Sequence, residues 1–252
     1  MSDQIIGLQD WLLTPAGRYL LAWEQAQLEA SVVDIFGYHA LQLGLPALHG
    51  LRDNRMPHQW LAVEHAPAGA VPSFSVPPAN LVTDFAALPF PSCSLDLLVL
   101  PHTLELSADP HATLREAERV LVPDGRIVIC GLNPLSLWGW RQWRAKRLRL
   151  GHDFLPEQGE FIGYWRLRDW LRLLGFEVET GEFGCYRPAL QGEQWLQRWA
   201  WMDRAGARWW PIMGAAYFVV AVKRVRGMRL LGPAWKAAPV RATAPVSVVR
   251  KH

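Results

Sequence analysis

Side chains able to do chemistry collect in short polar stretches, each directly after an apolar run. His102 and Glu105 follow the run 95–100, and Asn133 follows 126–132. Glu64 and Asp84 close two earlier runs, 59–63 and 79–83. An imidazole titrates near neutrality, so His102 is the best general-base candidate, with Glu105 and Asn133 as its catalytic companions. His102 also reads as a loop imidazole that hydrogen-bonds backbone. Glu64 lies 20 positions after Gly44, about the distance at which an acid meets a ribose hydroxyl in an open parallel sheet. The other reading of Glu64 is a solvated strand end. Asp96, at the start of a run, reads as a structural hydrogen-bond partner.

The elements that must position these groups are legible around them. Runs 95–100 and 126–132 are almost wholly apolar, as strands of a parallel sheet covered on both faces should be. Between them Asp109 suits an N-cap and Pro110 a first helical position. Leu114, Ala117 and Leu121 then share one helical face, which leaves Arg115, Glu116 and Arg119 for solvent. Pro123, Asp124 and Gly125 make the turn out, with Gly125 free to take positive φ. Such a βαβ unit is right-handed and gathers its polar loops at the strand carboxyl ends. Upstream, Thr14 and Pro15 open a helix carrying Leu20, Trp23, Leu28, Val32 and Phe36, with Gly37 as its C-cap. Residues 39–43 make the first strand, 59–63 the second and 79–83 the third. Downstream, 164–174 is a helix capped by Gly175, 176–179 a short strand and 215–222 the last strand. Trp195, Trp199 and Met202, spaced i, i+4, i+7, read as the buried face of an inserted helix.

The series Asp84-x-x-x-Leu88-Pro89-Phe90, then LDLLVL at 95–100, then P-x-x-x-L-R-E-x-x-R-V-L-x-P-D-G-R-I-V-I from Pro110, resembles the type 11 group of class I S-adenosylmethionine (SAM) methyltransferases. The continuation GLNPLSLWG at 131–139 is similar to a bacterial subgroup of YafS-like methyltransferase-domain proteins. The resemblance implies an α/β fold, a Rossmann-like seven-stranded doubly wound sheet with an antiparallel last strand. It implies SAM as cofactor, held by Gly44, Leu45, Glu64, Asp84, Phe85, Pro101 and His102, with Asp84 accepting from the adenine amino group. The first loop departs from the family pattern. It reads Leu43-Gly44-Leu45-Pro46-Ala47-Leu48-His49-Gly50, with one glycine where the family has several and Gln42 where an acidic residue is usual. The activity implied is methylation of a small apolar or aromatic molecule. The alternatives are a fold that binds without turnover, and methylation of RNA.

Other chemistries find no motif. Cys93, Cys130 and Cys185 show no C-x-x-C spacing, which leaves no zinc site or redox pair. An odd, sparse cysteine count suits a reducing cytoplasm. No charged-then-apolar segment opens the chain and no apolar run reaches about 18 residues, so a cytoplasmic protein without a transmembrane segment is expected. Ten Lys or Arg and no acidic residue lie from Arg204 onward, leaving 16 basic against 23 acidic residues before it. The expected organisation is a methyltransferase-like domain over 1–223, with a helical insertion at about 185–210, and a basic tail over 224–252 without fixed structure. A second basic stretch, WGWRQWRAKRLRLG at 138–151, sets five Lys or Arg beside three tryptophans. It can contact phosphates, stack on bases, lie on a membrane surface, or pack its tryptophans on the domain.

Overall fold

A computed structural model describes residue 8 and residues 11–65, 80–148, 155, 161–190 and 192–225. The chain runs α1 (Pro15–Val32), β1 (His39–Leu43), β2 (His58–Val63), β3 (Leu81–Val82), β4 (Leu95–Pro101), α2 (Thr103–Leu106), α3 (Pro110–Val120) and β5 (Leu121–Leu132). It continues with α4 (Leu137–Leu148), α5 (Tyr164–Leu173), β6 (Phe176–Gly184), α6 (Glu193–Arg198), α7 (Trp201–Trp209), a 3-10 turn (Pro211–Met213) and β7 (Ala216–Lys223). The seven strands form one sheet in the order β3-β2-β1-β4-β5-β7-β6. β1 to β5 pair in parallel, while β7 runs antiparallel to both β5 and β6. The expected sheet, with its antiparallel last strand, is therefore present. Its order reverses between β1 and β4, the switch point beside which ligands bind in open α/β sheets.

Strand alternation divides the core into two layers. Ala40, Leu97, Val99, Val128, Cys130 and Phe218 face the α1 side. Leu41, Leu98, Leu100, Ile127, Ile129 and Val219 face α3 and α5, through Leu114, Ala117, Leu167 and Leu171. The β4-α3-β5 unit begins as expected, with the Asp109 side chain accepting from Ala112 N at 3.0 Å. It departs at the turn. β5 starts at Leu121, and its register against β4 shifts between Leu95 and Leu97 so that Pro123 to Gly125 bulge out of the ladder. The positive φ falls on Asp124 (62°), not on Gly125. Gly125 is needed for space instead: a Cβ there would lie 2.9 Å from the Val122 carbonyl.

The end of α1 is also set from outside the helix. Thr14 caps its start, accepting from Gly17 N, but it stops at Val32 and leaves Phe36 exposed. The buried Asn54 amide donates to the Val32 and Ile35 carbonyls at 2.8 and 3.0 Å. The Val32 carbonyl also accepts from Ile35 N at 3.2 Å, so Asn54 pins the turn that leaves the helix. Gly37 is no C-cap; a Cβ there would collide with Asp96. The Asp96 carboxylate accepts from Tyr38 N and His39 N, both at 2.9 Å, and so aligns β1 beside β4 as a structural partner.

The insertion is helical but broken. The chain turns at Trp199 and Ala200 between α6 and α7, so Trp195, Trp199 and Met202 do not share one continuous helix. Trp195 is exposed and Leu196 takes the buried position. Asp203 of α7 ties the insertion to α1, accepting from the Tyr19 hydroxyl and from Arg187. β6 extends to Gly184, beyond the expected 176–179. The expected tail falls almost wholly on 226–252, outside the described residues.

Candidate functional site

The carboxyl ends of β1 to β3 make one half of the site. Gly44 ends β1 with φ 76°, a conformation that favours glycine. Its N–H donates to Ala62 O at 2.7 Å. The Phe85 ring and the Thr103 hydroxyl lie 3.7 Å from where a Gly44 Cβ would stand. The Thr103 hydroxyl donates to Leu43 O, fastening the start of α2 to the end of β1. Leu45 also takes the left-handed region, at φ 42°, a conformation an L side chain adopts only when its surroundings impose it.

Gln42 imposes it. The side chain is 3% exposed. Its amide N–H groups are shared among the carbonyls of Gly44, Leu45 and Leu48 at 3.2, 3.1 and 2.8 Å. Its carbonyl accepts from Gly50 N at 3.0 Å. A carboxylate at this position has no N–H to give. The departure from the family pattern is thus a latch that folds residues 44–50 back onto β1.

Glu64 and Asp84 stand at the neighbouring ends of β2 and β3, joined by Thr83 N donating to Val63 O. Asp84 is exposed; one of its oxygens accepts from Ala86 N. Glu64 is half-buried, and its carboxyl is held above the usual range, first by partial burial and then by the nearby Asp84 charge, against the lowering effect of His65. The Asp84 loop is clamped from α3. Glu116 accepts from Leu88 N at 2.7 Å, while Arg119 donates to the carbonyls of Leu88 and Phe90 and pairs with Glu116. These two residues were expected to face solvent. Their bonds explain why Leu-Pro-Phe and Arg-Glu-x-x-Arg occur together in the sequence.

The ends of β4 and β5 are built oppositely, with their polar groups turned inward. Pro101 is buried at the end of β4. His102 is 1% exposed, with φ 54°. Its Nε2 meets Glu24 Oε1 and its Nδ1 meets Glu105 Oε2, each at 2.8 Å. The other Glu105 oxygen accepts from Leu132 N. Burial pulls the His102 pKa down, but the Glu24 charge and the bonds to Glu105 and Glu24 outweigh it and raise it to about 10. Burial raises the Glu105 carboxyl, opposed by its bond to His102. His102 is therefore an imidazolium at neutral pH, donating from both nitrogens, with no lone pair free to take a proton. Asn133 is likewise engaged: its amide donates to Ile212 O and Gly214 O at 2.7 and 2.9 Å, and its carbonyl accepts from Leu135 N.

The structure thus brings Gly44, Phe85 and Thr103 together, sets Glu64 beside Asp84, and groups His102 with Glu105 inside the fold. Sequence reasoning missed Glu24, which is fully buried with Oε2 lacking a hydrogen-bond partner. Its signal was its position: Leu20, Glu24, Leu28 and Val32 form one stripe at helical spacing, and a carboxylate there needs a buried partner. Among the described residues, no group of three or more His, Cys, Asp or Glu could hold a metal ion.

Comparisons with known proteins agree with this architecture. The family described as "Methyltransferase domain" matches residues 61–129. The uncharacterised protein YafS of Escherichia coli is 34% identical over 169 residues, 67% of this chain and 65% of that protein. The chain therefore spans slightly less than two thirds of that relative's length. Among solved structures, a SAM-dependent methyltransferase from Thermotoga maritima superposes with a TM-score of 0.60 at 15% identity, over 86% of this chain and 94% of that one. A chain from the complex of the Haloferax volcanii Trm112 methyltransferase activator with a methyltransferase gives 0.55 at 17% identity, over 81% and 90%.

Two measurements test this geometry. Gln42→Glu replaces donors by an anion facing carbonyls, and urea unfolding should show a loss of about 2–4 kcal/mol. The His102 pKa is raised on folding, so its stabilisation is complete below its unfolded value of about 6.5 and fades as pH rises through about 10. Between those limits the wild-type melting temperature should fall by at least about 4 °C more than that of His102→Gln.

Proposed function

With residues 61–129 matching the methyltransferase-domain family, we propose that the protein transfers a methyl group from SAM to a small acceptor with an apolar or aromatic body. The observation that carries this reading is the exposed half of the strand ends. A glycine in the left-handed region ends β1, and two carboxylates stand at the ends of β2 and β3. That set of groups fits a nucleoside. Glu64 suits the ribose hydroxyls, whose hydrogens a strand-end carboxylate accepts. Asp84 suits the adenine amino group, with Phe85 beside it as an apolar wall. The backbone of Gly44 and Leu45 suits the methionine part.

Bound SAM supplies a methyl group on a positively charged sulfur that departs as a neutral thioether, so correct placement and exclusion of water provide much of the rate. The residues after β4 and β5 suit that demand. His102, Glu105 and Asn133 act as positioning residues: they hold Pro101, Leu132 and the 212–214 backbone in place rather than move a proton. An acceptor that needs no strong base fits a site whose imidazole is already charged. Exposed Leu135, Ile212 and Met213 lie around Asn133 and favour an apolar acceptor.

A second reading is favoured by the same buried triad. A domain whose imidazole, carboxylates and amide are all engaged internally is suited to bind a nucleoside without turnover. Both readings require ligand binding, and turnover of the loaded protein with candidate acceptors separates them. Calorimetry should give micromolar affinity for SAM or S-adenosylhomocysteine. Asp84→Ala should weaken it at least tenfold, about 1.4 kcal/mol, with an unchanged melting temperature. No heat at millimolar ligand would refute the nucleoside site.

A further inference from the structure

Helix α4 carries a surface that the methyltransferase reading does not use. At about 100° per residue, its buried side is Trp138 and Gln142, and its opposite side is Leu137, Trp140, Trp143, Arg144 and Arg147. Those five are all exposed and occupy a continuous arc of about 120°. The helix contains no acidic residue. Two of its tryptophans thus stand in solvent, at 54% and 57% exposure, although a helix packing only against its own domain would turn them inward. Each carries a guanidinium: Arg144 lies 4.9 Å from the Trp140 ring centre and Arg147 lies 5.5 Å from that of Trp143. Among the described residues neither arginine pairs with a carboxylate. The face continues toward the carboxyl edge of the sheet, where the turn before α4 is bonded through Asn133 to the exposed segment at Ile212.

We propose that this face docks the protein on an anionic phospholipid bilayer. Tryptophan and arginine are both suited to headgroup depth. The indole buries apolar ring area while its N–H stays wet, and the arginine stem lies along apolar surface while its head meets phosphate. The charge is complementary to an anionic leaflet, toward which each Lys or Arg adds attraction that salt screens. A second copy of the chain is a poorer occupant, because a two-fold contact through this face would set arginines against arginines. RNA is poorer too: exposed Leu137 shares the face with the tryptophans, and an aliphatic side chain gains from burial at a bilayer but offers nothing to stack a base on. No described helix is long and apolar enough to cross a membrane, so the association is peripheral. This inference stands apart from the SAM site and does not depend on it.

The test is co-sedimentation of the full chain with vesicles of phosphatidylcholine alone and of phosphatidylcholine mixed with phosphatidylglycerol. The basic residues beyond Lys223 also attract anionic lipid, so variants of α4 decide the matter. Binding should require phosphatidylglycerol and weaken with salt. It should fall at least about tenfold in Arg144→Glu/Arg147→Glu and separately in Trp140→Ser/Trp143→Ser, each with a wild-type melting temperature. Equal binding to phosphatidylcholine alone, or wild-type sedimentation by both variants, would overturn the proposal. So would tight binding of single-stranded RNA that alone responds to the substitutions, or a dimer that the substitutions dissolve.

Discussion

One imidazolium held between two carboxylates, out of reach of water, organises this molecule. Glu24 comes from the first long helix, His102 from the end of β4 and Glu105 from the turn that follows, and Glu105 also takes the N–H of Leu132 at the end of β5. The first long helix, the end of β4 with the turn after it, and the end of β5 are thus tied together around one ring. Burying such charges is costly, and removing one partner costs about 3–5 kcal/mol because the others are then stranded. The arrangement persists only if each member keeps its place. The left-handed backbone at His102, tolerated by histidine better than by most residues, turns the ring inward to meet both carboxylates.

From that constraint follows a division of labour along the strand ends. β4 and β5 commit their polar groups to internal bonds and make a rigid wall. β2 and β3 end instead in the half-buried carboxylate of Glu64 and the exposed one of Asp84, beside the left-handed turn at Gly44. Gln42 marks the border. Its buried amide satisfies the backbone of the 44–50 loop, a task that needs donors as well as an acceptor. A loop poor in glycine can hold the required turn because a side chain enforces it. On the far side, the clamp of Glu116 and Arg119 on Leu88 and Phe90 does the same for the loop that carries Asp84.

Much of this was legible in the residues and some was not. A nearly unbroken apolar run placed β4, and helical spacing placed α3 and α5, each within a residue or two, because those elements bury consistent apolar sets. The antiparallel β7 came from resemblance rather than from its own apolar run, since such a run does not encode direction. Helix ends were misjudged where distant groups take part: Asn54 bonds the chain as it leaves α1, and nothing near Phe36 announces it. Glu116 and Arg119 read as solvent residues because their partners, an N–H for Glu116 and carbonyls for Arg119, are backbone groups about thirty positions away. His102 read as a base or as a loop imidazole bonded to backbone, because an isolated imidazole is neutral near pH 7. Its charge is set by Glu24, 78 positions earlier, a residue passed over although it stood on the buried stripe of α1.

The state of the His102 ring decides the account. With ring-labelled histidine, long-range proton–nitrogen NMR correlations report each nitrogen's protonation directly. The structure predicts that both His102 nitrogens carry protons at neutral pH and remain so above about pH 8, well beyond an ordinary histidine. A neutral tautomer at pH 7, titrating as an exposed imidazole does, would contradict the buried triad and restore His102 as a group free to accept a proton.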